Sequence, residues 1–398
     1  MRCIIYIITL TFLLGAPAVH AESFDDLLEK LKQHPQIQQY AAQVEQYEEL
    51  SRGEMGLPDP MVFFEQQDYR LRSDMGRGGG DRMLGFSQQI PRWSVREASA
   101  GRMIAESRKT LLLKDYAYST MKARLIATLA NLQKVNDQSR VLEEQEKLLK
   151  TQKRSLESRV AANRSEVSAI SMTEAELAEI KIMLAELEEE KHGIKEMLIN
   201  LLGEVPDVEM PKVQMQAWKR EPENTYMVAI ADADVAIATK DKTIREAEFG
   251  PNFEIRASAG RMGDGSEGGS LMLGMSIPIW AAENQEPKLR AAKAGISAAE
   301  LGSDVAKRDV IEMLSHKTKQ ITTSEEKIKL LNRKETLLKE TSDAALREYE
   351  AGKTSFSDVL NIRKDMFSIQ SQAIAEQANH IALIADFNRF IMKENRHE

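Results

Sequence analysis

Gly85-Phe86-Ser87-Gln88-Gln89-Ile90-Pro91-Arg92-Trp93 returns later in the chain as Gly274-Met275-Ser276-Ile277-Pro278-Ile279-Trp280. The two glycines stand 189 positions apart, and the prolines and tryptophans each 187. Downstream, Ala162-Asn163-Arg164 matches Ala351-Gly352-Lys353, again at 189. Upstream, Leu57-Pro58-Asp59-Pro60 corresponds to Phe249-Gly250-Pro251-Asn252. Anchors in one order at nearly one spacing make the chain two copies of a single unit.

Each copy repeats the same series of elements. An amphipathic helix comes first, expected over 24–55 and 223–248, and Pro58 and Pro251 mark where it has stopped. A strand, a glycine-rich loop and a second strand follow. In the second copy Phe253, Ile255, Ala257 and Ala259 alternate with Asn252, Glu254, Arg256 and Ser258. Leu271, Leu273, Met275 and Ile277 alternate in the same way with Met272, Gly274, Ser276 and Pro278. This period of two describes strands with one apolar and one polar face. In the first copy Leu84, Phe86 and Ile90 share a face, whereas Met61 to Gln67 alternates poorly. The loops are expected over 71–81 and 260–269. Neither continues into Gly-Lys-Ser/Thr, so they read as strand connections rather than phosphate cradles.

The rest of each copy is helix of unusual length. No proline interrupts Arg92 to Arg159, and a second helical stretch runs from Glu166 to Leu202. Ile170, Leu177, Leu184 and Leu198 share one heptad position, and Ile180, Leu187, Ile194 and Leu201 the other. Met121, Val135, Leu142, Leu149 and Leu156 keep step on the outgoing leg, a coiled-coil period. The second copy does so more loosely, with Leu314, Ile321 and Ile328 outbound and Ile362, Ile369, Leu383 and Phe390 returning. At ~1.5 Å per residue, ~70 helical residues form a rod of roughly 100 Å. The expected class is therefore mostly α with a small β part, a strand hairpin plus a long helical hairpin, duplicated.

The first residues read as an export signal. Arg2 precedes an apolar run, Ile4 to Leu14, and Val19-His20-Ala21 offers a cleavage point after Ala21. The run is too short to span a bilayer. Cleavage there removes the only cysteine, Cys3, and with it any disulfide, thiol nucleophile or cysteine metal ligand. The expected organisation is a signal peptide over 1–21, a first repeat over 22–203, a linker over 204–222, a second repeat over 223–392 and a tail over 393–398.

Composition excludes several functions. The formal net charge is −8, and −9 without Arg2, which argues against a nucleic-acid partner. Hydrophobic residues make up 42% of the chain, enough for a core, yet no second apolar run is long enough for a membrane helix. Membrane entry then requires a closed β-barrel. The histidines are scattered and form no His-Glu-x-x-His pattern, and acidic pairs lie on charged helix faces, so no catalytic, metal or cofactor site is read. The 19 methionines read as flexible core filler.

Four strands cannot close a barrel, and open edges in hydrocarbon leave backbone groups unpaired. A barrel must be shared between copies. Two copies give eight strands, a bore filled by its own side chains, so a conduit needs three or more. Glu254, Arg256 and Ser258 are then expected to line its lumen, with Phe253, Ile255, Leu271 and Leu273 against outer-membrane lipid.

Leu57-Pro58-Asp59-Pro60, Ser87-Gln88-Gln89-Ile90-Pro91 and the stretch from Tyr349 through Gly352, Ser355 and Asp358 to Leu360 together resemble the TolC-type outer-membrane efflux family. The resemblance covers the chain after residue 21. It implies a homotrimer with a twelve-stranded barrel continued by a twelve-helix periplasmic tunnel, the large periplasmic portion of an outer-membrane protein. It also implies docking to a periplasmic adaptor (a membrane fusion protein) and an inner-membrane pump of the RND type, and a passive duct rather than an enzyme. The Leu-Pro-Asp-Pro form resembles the branch serving heavy-metal export.

Carried over residue by residue, the resemblance makes Gly352 and Asn163 the left-handed turn residues of the two hairpin tips. It makes Asn163, Arg164, Gly352, Lys353 and Thr354 the adaptor contact. Asp358 matches an acidic position at the periplasmic aperture, with Tyr349 and Asn361 nearby; its alternative reading is a helix N-terminal residue favoured by the dipole. Asn361, Ala169 and Thr354 stand where relatives often carry charge, which argues against a salt-bridged lock at the tip. A collar midway along the tunnel is expected to depend on 203–222. The competing readings are a periplasmic adaptor, which has one hairpin between split β-segments, and a structural envelope coiled coil.

Overall fold

The computed structural model describes residues 23–67, 80–161, 167–208 and 210–392. The expected signal peptide, the tip residues Asn163 and Arg164, most of the first glycine-rich loop and the C-terminal tail lie outside these residues.

The order is α1 (Phe24–Lys32), α2 (Pro35–Glu54), β1 (Met61–Gln66), β2 (Arg82–Ile90), α3 (Trp93–Ala161) and α4 (Val167–Leu202). A short 3-10 turn, Pro222–Asn224, leads into α5 (Tyr226–Ala247), β3 (Asn252–Arg261), β4 (Glu267–Ser276), α6 (Gln285–Glu350) and α7 (Phe356–Asn388). The two series correspond element by element. One expectation is corrected: the first helix is broken at Gln33–His34 instead of running unbroken from 24 to 55. Pro35 cannot donate the hydrogen bond that continuation requires, but it fits the first helical position, where His34 caps α2 by accepting from Gln36 N at 3.2 Å. The second glycine-rich loop is also shorter than read. The strands extend to Arg261 and from Glu267, leaving a turn at 262–266 in which Gly265 takes φ +90°.

α3, 69 residues long, is the axis of the first repeat, with α2 packed along its strand-proximal part and α4 returning along the rest. α6, 66 residues long, plays the same part for α5 and α7. α3 also touches α5 and α7, so the two repeats lie side by side through α3. The heptad positions form the seams: Val135, Leu149, Leu156, Ile180, Leu198, Leu201, Leu314 and Ile321 are all buried. The helices are amphipathic along narrow stripes, as coiled-coil packing demands.

Residues 204–222 cross over both bundles. Val208 and Met210 pack with Leu27, Leu31, Ile194 and Leu198; Val213, Met215 and Trp218 pack with Val228, Leu314 and Phe387. Asn388 ties the crossing segment to the end of α7, accepting from Gln216 N and donating to Gln214 O, both at 2.8 Å. A bridge between Thr225 and Ile391 holds the end of the crossing beside the end of the chain's last helix.

The four strands form one sheet in the order β1-β2-β3-β4, every neighbouring pair antiparallel. β2 and β3 join the two repeats. β1 and β4 are the edges, and each has one side without a strand partner among the described residues.

Candidate functional site

The sheet register sorts its side chains onto two faces. One face carries Val62 and Phe64 of β1, Leu84 and Phe86 of β2, Phe253 and Ile255 of β3, and Leu271, Leu273 and Met275 of β4. Among the described residues nothing covers it: Val62, Leu271 and Leu273 are 71%, 71% and 74% exposed. Apolar side chains this exposed, in one continuous sheet face, cannot be left to water without a large hydrophobic penalty. Trp93 and Trp280, the repeat-related tryptophans, stand exposed at the foot of this sheet, where the strands give way to helices.

The opposite face carries Glu254, Arg256 and Ser258, as the alternation predicts. Arg256 Nη2 donates to Glu254 Oε1 at 3.3 Å, and the Ser258 and Ser270 hydroxyls share a hydrogen bond of 2.8 Å. Gln89 and Ser87 lie beside Glu254 and Arg256 on β2. Met272 lies on this face, as the alternation of β4 predicts; sequence reading missed Met61, Phe63 and Met83, which share it. Phe63 explains the poor alternation of β1. Its ring lies 5.3 Å beneath the Arg256 guanidinium and in the space left by Gly85, where an added Cβ would stand 2.5 Å from Phe63 Cζ and 2.6 Å from the Ala257 carbonyl oxygen. The apolar residue on the polar face is accommodated by its direct partner on the next strand, the same Gly85 that marks the repeat.

At the far end of the rods, the α6–α7 tip is built by two local motifs. Gly352 takes φ +74°, Lys353 N donates to Glu348 O at 2.8 Å, and Gly352 N donates to Tyr349 O at 3.0 Å, a Schellman closure of α6. Ser355 then caps α7. Its hydroxyl accepts from Asp358 N at 3.2 Å, and Asp358 Oδ2 accepts from the Ser355 hydroxyl at 2.6 Å, the Thr354 hydroxyl at 3.1 Å and Ser355 N at 3.3 Å. The Ser355 hydroxyl first, then that of Thr354, hold the Asp358 carboxyl below the usual carboxylate range.

The residues expected at the aperture separate in space. Asp358 and Asn361 are exposed on the first two turns of α7. Tyr349 instead turns inward, its ring 5.5 Å from Phe356 within the cluster of Leu149, Leu156, Ile180 and Leu360. Among the tip residues expected to meet an adaptor, Gly352 and Lys353 are exposed and Thr354 half-buried. Among the described residues, no three His, Cys, Asp or Glu side chains are placed to hold a metal ion, and no helix is long and apolar enough to cross a membrane.

A family model of outer membrane efflux proteins matches residues 222–384, the second repeat. Comparison of the sequence with curated proteins gives no match. In fold the chain is similar to CusC, whose crystal structures follow folding and transmembrane channel formation: 13% identity over 91% of each chain, TM-score 0.77. It is likewise similar to the outer membrane protein VceC of Vibrio cholerae, with 16% identity over 93% of this chain and 96% of that one, TM-score 0.73. The MtrE outer membrane channel of Neisseria gonorrhoeae in its open state gives 13% identity over 91% and 87%, TM-score 0.74. At these identities the likeness establishes the fold over nearly the whole length. With the family match to the second repeat, the resemblance to TolC-type outer-membrane efflux proteins holds.

Proposed function

We propose that this chain, carrying the TolC-type fold, is the outer-membrane channel subunit of a tripartite efflux system. It acts as a passive duct for small molecules or metal ions. The observation that carries the reading is the sheet: four strands, two free edges and one wholly uncovered apolar face, mounted on helical rods of roughly 100 Å. In hydrocarbon both free edges need partners, because an unpaired backbone group there costs several kcal/mol. β1 and β4 run antiparallel to each other, so β4 of one copy can pair with β1 of the next and continue the meander without a break. Strands of 9 or 10 residues in β2, β3 and β4 suit a tilted bilayer crossing. Exposed Trp93 and Trp280 suit the headgroup level at its inner edge.

Three copies give twelve strands and a bore wider than the filled eight-stranded barrel. The face with Glu254, Arg256 and Ser258 then lines water, and α3, α4, α6 and α7 of each copy make a twelve-helix periplasmic wall. The tips around Lys353 and Thr354 meet a periplasmic adaptor, which connects the duct to an inner-membrane pump of the RND type. The Leu57-Pro58-Asp59-Pro60 form favours the heavy-metal export branch.

Asp358 serves both of the roles read for it: one oxygen closes the capping box while its exposed charge, repeated around the threefold axis, sets the negative field of the aperture. The test is conductance in planar bilayers. Purified protein should form discrete cation-preferring channels, and Asp358→Ala should raise conductance or leakiness. Wild-type protein that forms no channels removes the duct reading; channels indifferent to Asp358→Ala remove Asp358 from the aperture.

A further inference from the structure

The uncovered face of the sheet is ordered in rows across the strands. Val62, Phe86, Ala257 and Leu271 stand side by side in one row, and Phe64, Leu84, Ala259 and Gly269 in the next. The row after that changes character: Gln66, Arg82, Arg261 and Glu267. It lies at the opposite end of the strands from Trp93 and Trp280. From Ile90 to Arg82, β2 rises about 27 Å at ~3.4 Å per residue, which a tilt of about 40° reduces to about 21 Å. A barrel's apolar band is ~25 Å tall, so with the tryptophans at the inner edge this row meets the outer headgroups.

Arg82 and Arg261 are direct partners on adjacent strands, and both are exposed. Like charges placed directly opposite each other destabilise a sheet. Among the described residues neither arginine takes part in an ion pair. Arg261 Nε donates to the Gly265 carbonyl oxygen at 3.2 Å. The acids of the neighbouring turns are engaged elsewhere: Asp81 Oδ1 accepts from Gly263 N at 2.7 Å, and Asp264 Oδ1 from Ser266 N at 2.9 Å. Glu267 stands opposite Arg261 on its other side, but the row partners of Arg82 are only Gln66 and Arg261. Immediately inward of the two arginines the face is hollowed. Ala257 and Ala259 leave an apolar trough of about 390 Å³ beside Leu84 and Phe86, with Val62 along its margin.

We propose that this is a lipid site: a phosphate monoester of lipid A, the phosphorylated and acylated sugar of an outer leaflet, sits on Arg82 and Arg261 while one acyl chain lies in the Ala257–Ala259 trough. The inference rests on the duct reading and extends it to the lipid around the barrel. A phosphate monoester carries about −1.5 to −2 charges near neutral pH, enough to answer two guanidiniums, and its oxygens suit their paired N–H groups. The diester of a phospholipid carries one charge and answers them less well. The bound anion removes the repulsion that the facing arginines otherwise impose on β2 and β3.

The test is native mass spectrometry of the assembled protein in detergent, titrated with bisphosphorylated lipid A and, separately, with phosphatidylglycerol. Wild type should hold lipid A about tenfold more tightly than phosphatidylglycerol, and millimolar inorganic phosphate should not displace it. A hydrogen bond to a charged group is worth about a factor of ten, so Arg82→Ala with Arg261→Ala should weaken lipid A about a hundredfold. Ala259→Phe, which fills the trough, should weaken it about tenfold, the equivalent of roughly two buried methylenes. Both variants should conduct as wild type does, since neither change touches the face read as the lumen. Lipid A bound no better than phosphatidylglycerol, displaced by inorganic phosphate, or held undiminished by either variant overturns the site. The wild-type comparison decides alone where a variant fails to assemble. A protein that conducts but shows no such preference loses the lipid site and keeps the duct; one that neither conducts nor enters membranes loses both.

Discussion

Asp358 shows what a single residue can and cannot disclose. Ser355 followed three positions later by an acid is a helix-start signature, and the structure makes the reciprocal hydrogen bonds that the signature implies. Ser355→Ala should therefore cost about 1 kcal/mol, read as faster hydrogen exchange in the first turn of α7. The same bonds set a pH dependence. The folded carboxyl titrates below its ordinary value, so its stabilisation is complete above the unfolded pKa and disappears as pH falls through the folded one. Protection from exchange at the tip, taken relative to the intrinsic rate at each pH, should stay constant from neutral pH down to about 5 and fall only in acid below about 4. Gly352 was equally legible, because a glycine after a long helix announces a left-handed residue. Arg363 was not. It is only 7% exposed, and the heptad pattern of α7 gives no sign of an enclosed cation.

At the scale of elements, the coiled-coil helices were the most legible part, because a repeat of 3.5 sustained over dozens of residues has one structural meaning. Leu198 is wholly buried among Leu125, Leu129 and Ile194, and Leu198→Ala should cost about 2–5 kcal/mol, read as a lowered thermal midpoint with the helices' circular dichroism retained before unfolding. The break between α1 and α2 was marked by Pro35, but the apolar periodicity carries across it, and the eye follows periodicity. β1 was the least legible strand for a different reason. Phe63 occupies the polar face only because Gly85, on the next strand, leaves room for its ring, and such cross-strand compensation is invisible until the register is known. The strands should also differ by face. Leu273→Arg places a charge on the uncovered apolar face and should cost about 2–4 kcal/mol near mid-bilayer, greatly reducing the membrane-inserted fraction. Ser258→Arg, on the opposite face, should insert normally and change only ion selectivity. Equal insertion of the two variants would contradict the assignment of faces.

For the whole molecule, duplication was plain from the spacing of Gly85 and Gly274, Pro91 and Pro278, Trp93 and Trp280. It determines that one chain supplies two strand hairpins and two helical hairpins, which the structure joins into one sheet and one helical wall. The number of chains lies outside any one chain's contacts, since the free edges of β1 and β4 and the uncovered face of Leu271 and Leu273 refer to something beyond it. Native mass spectrometry of the detergent-extracted protein addresses that directly. A sheet completed by its own copies predicts a particle of three times the chain mass that persists until boiling and then yields single chains. A water-soluble single chain that binds no detergent, its four strands intact, would contradict it.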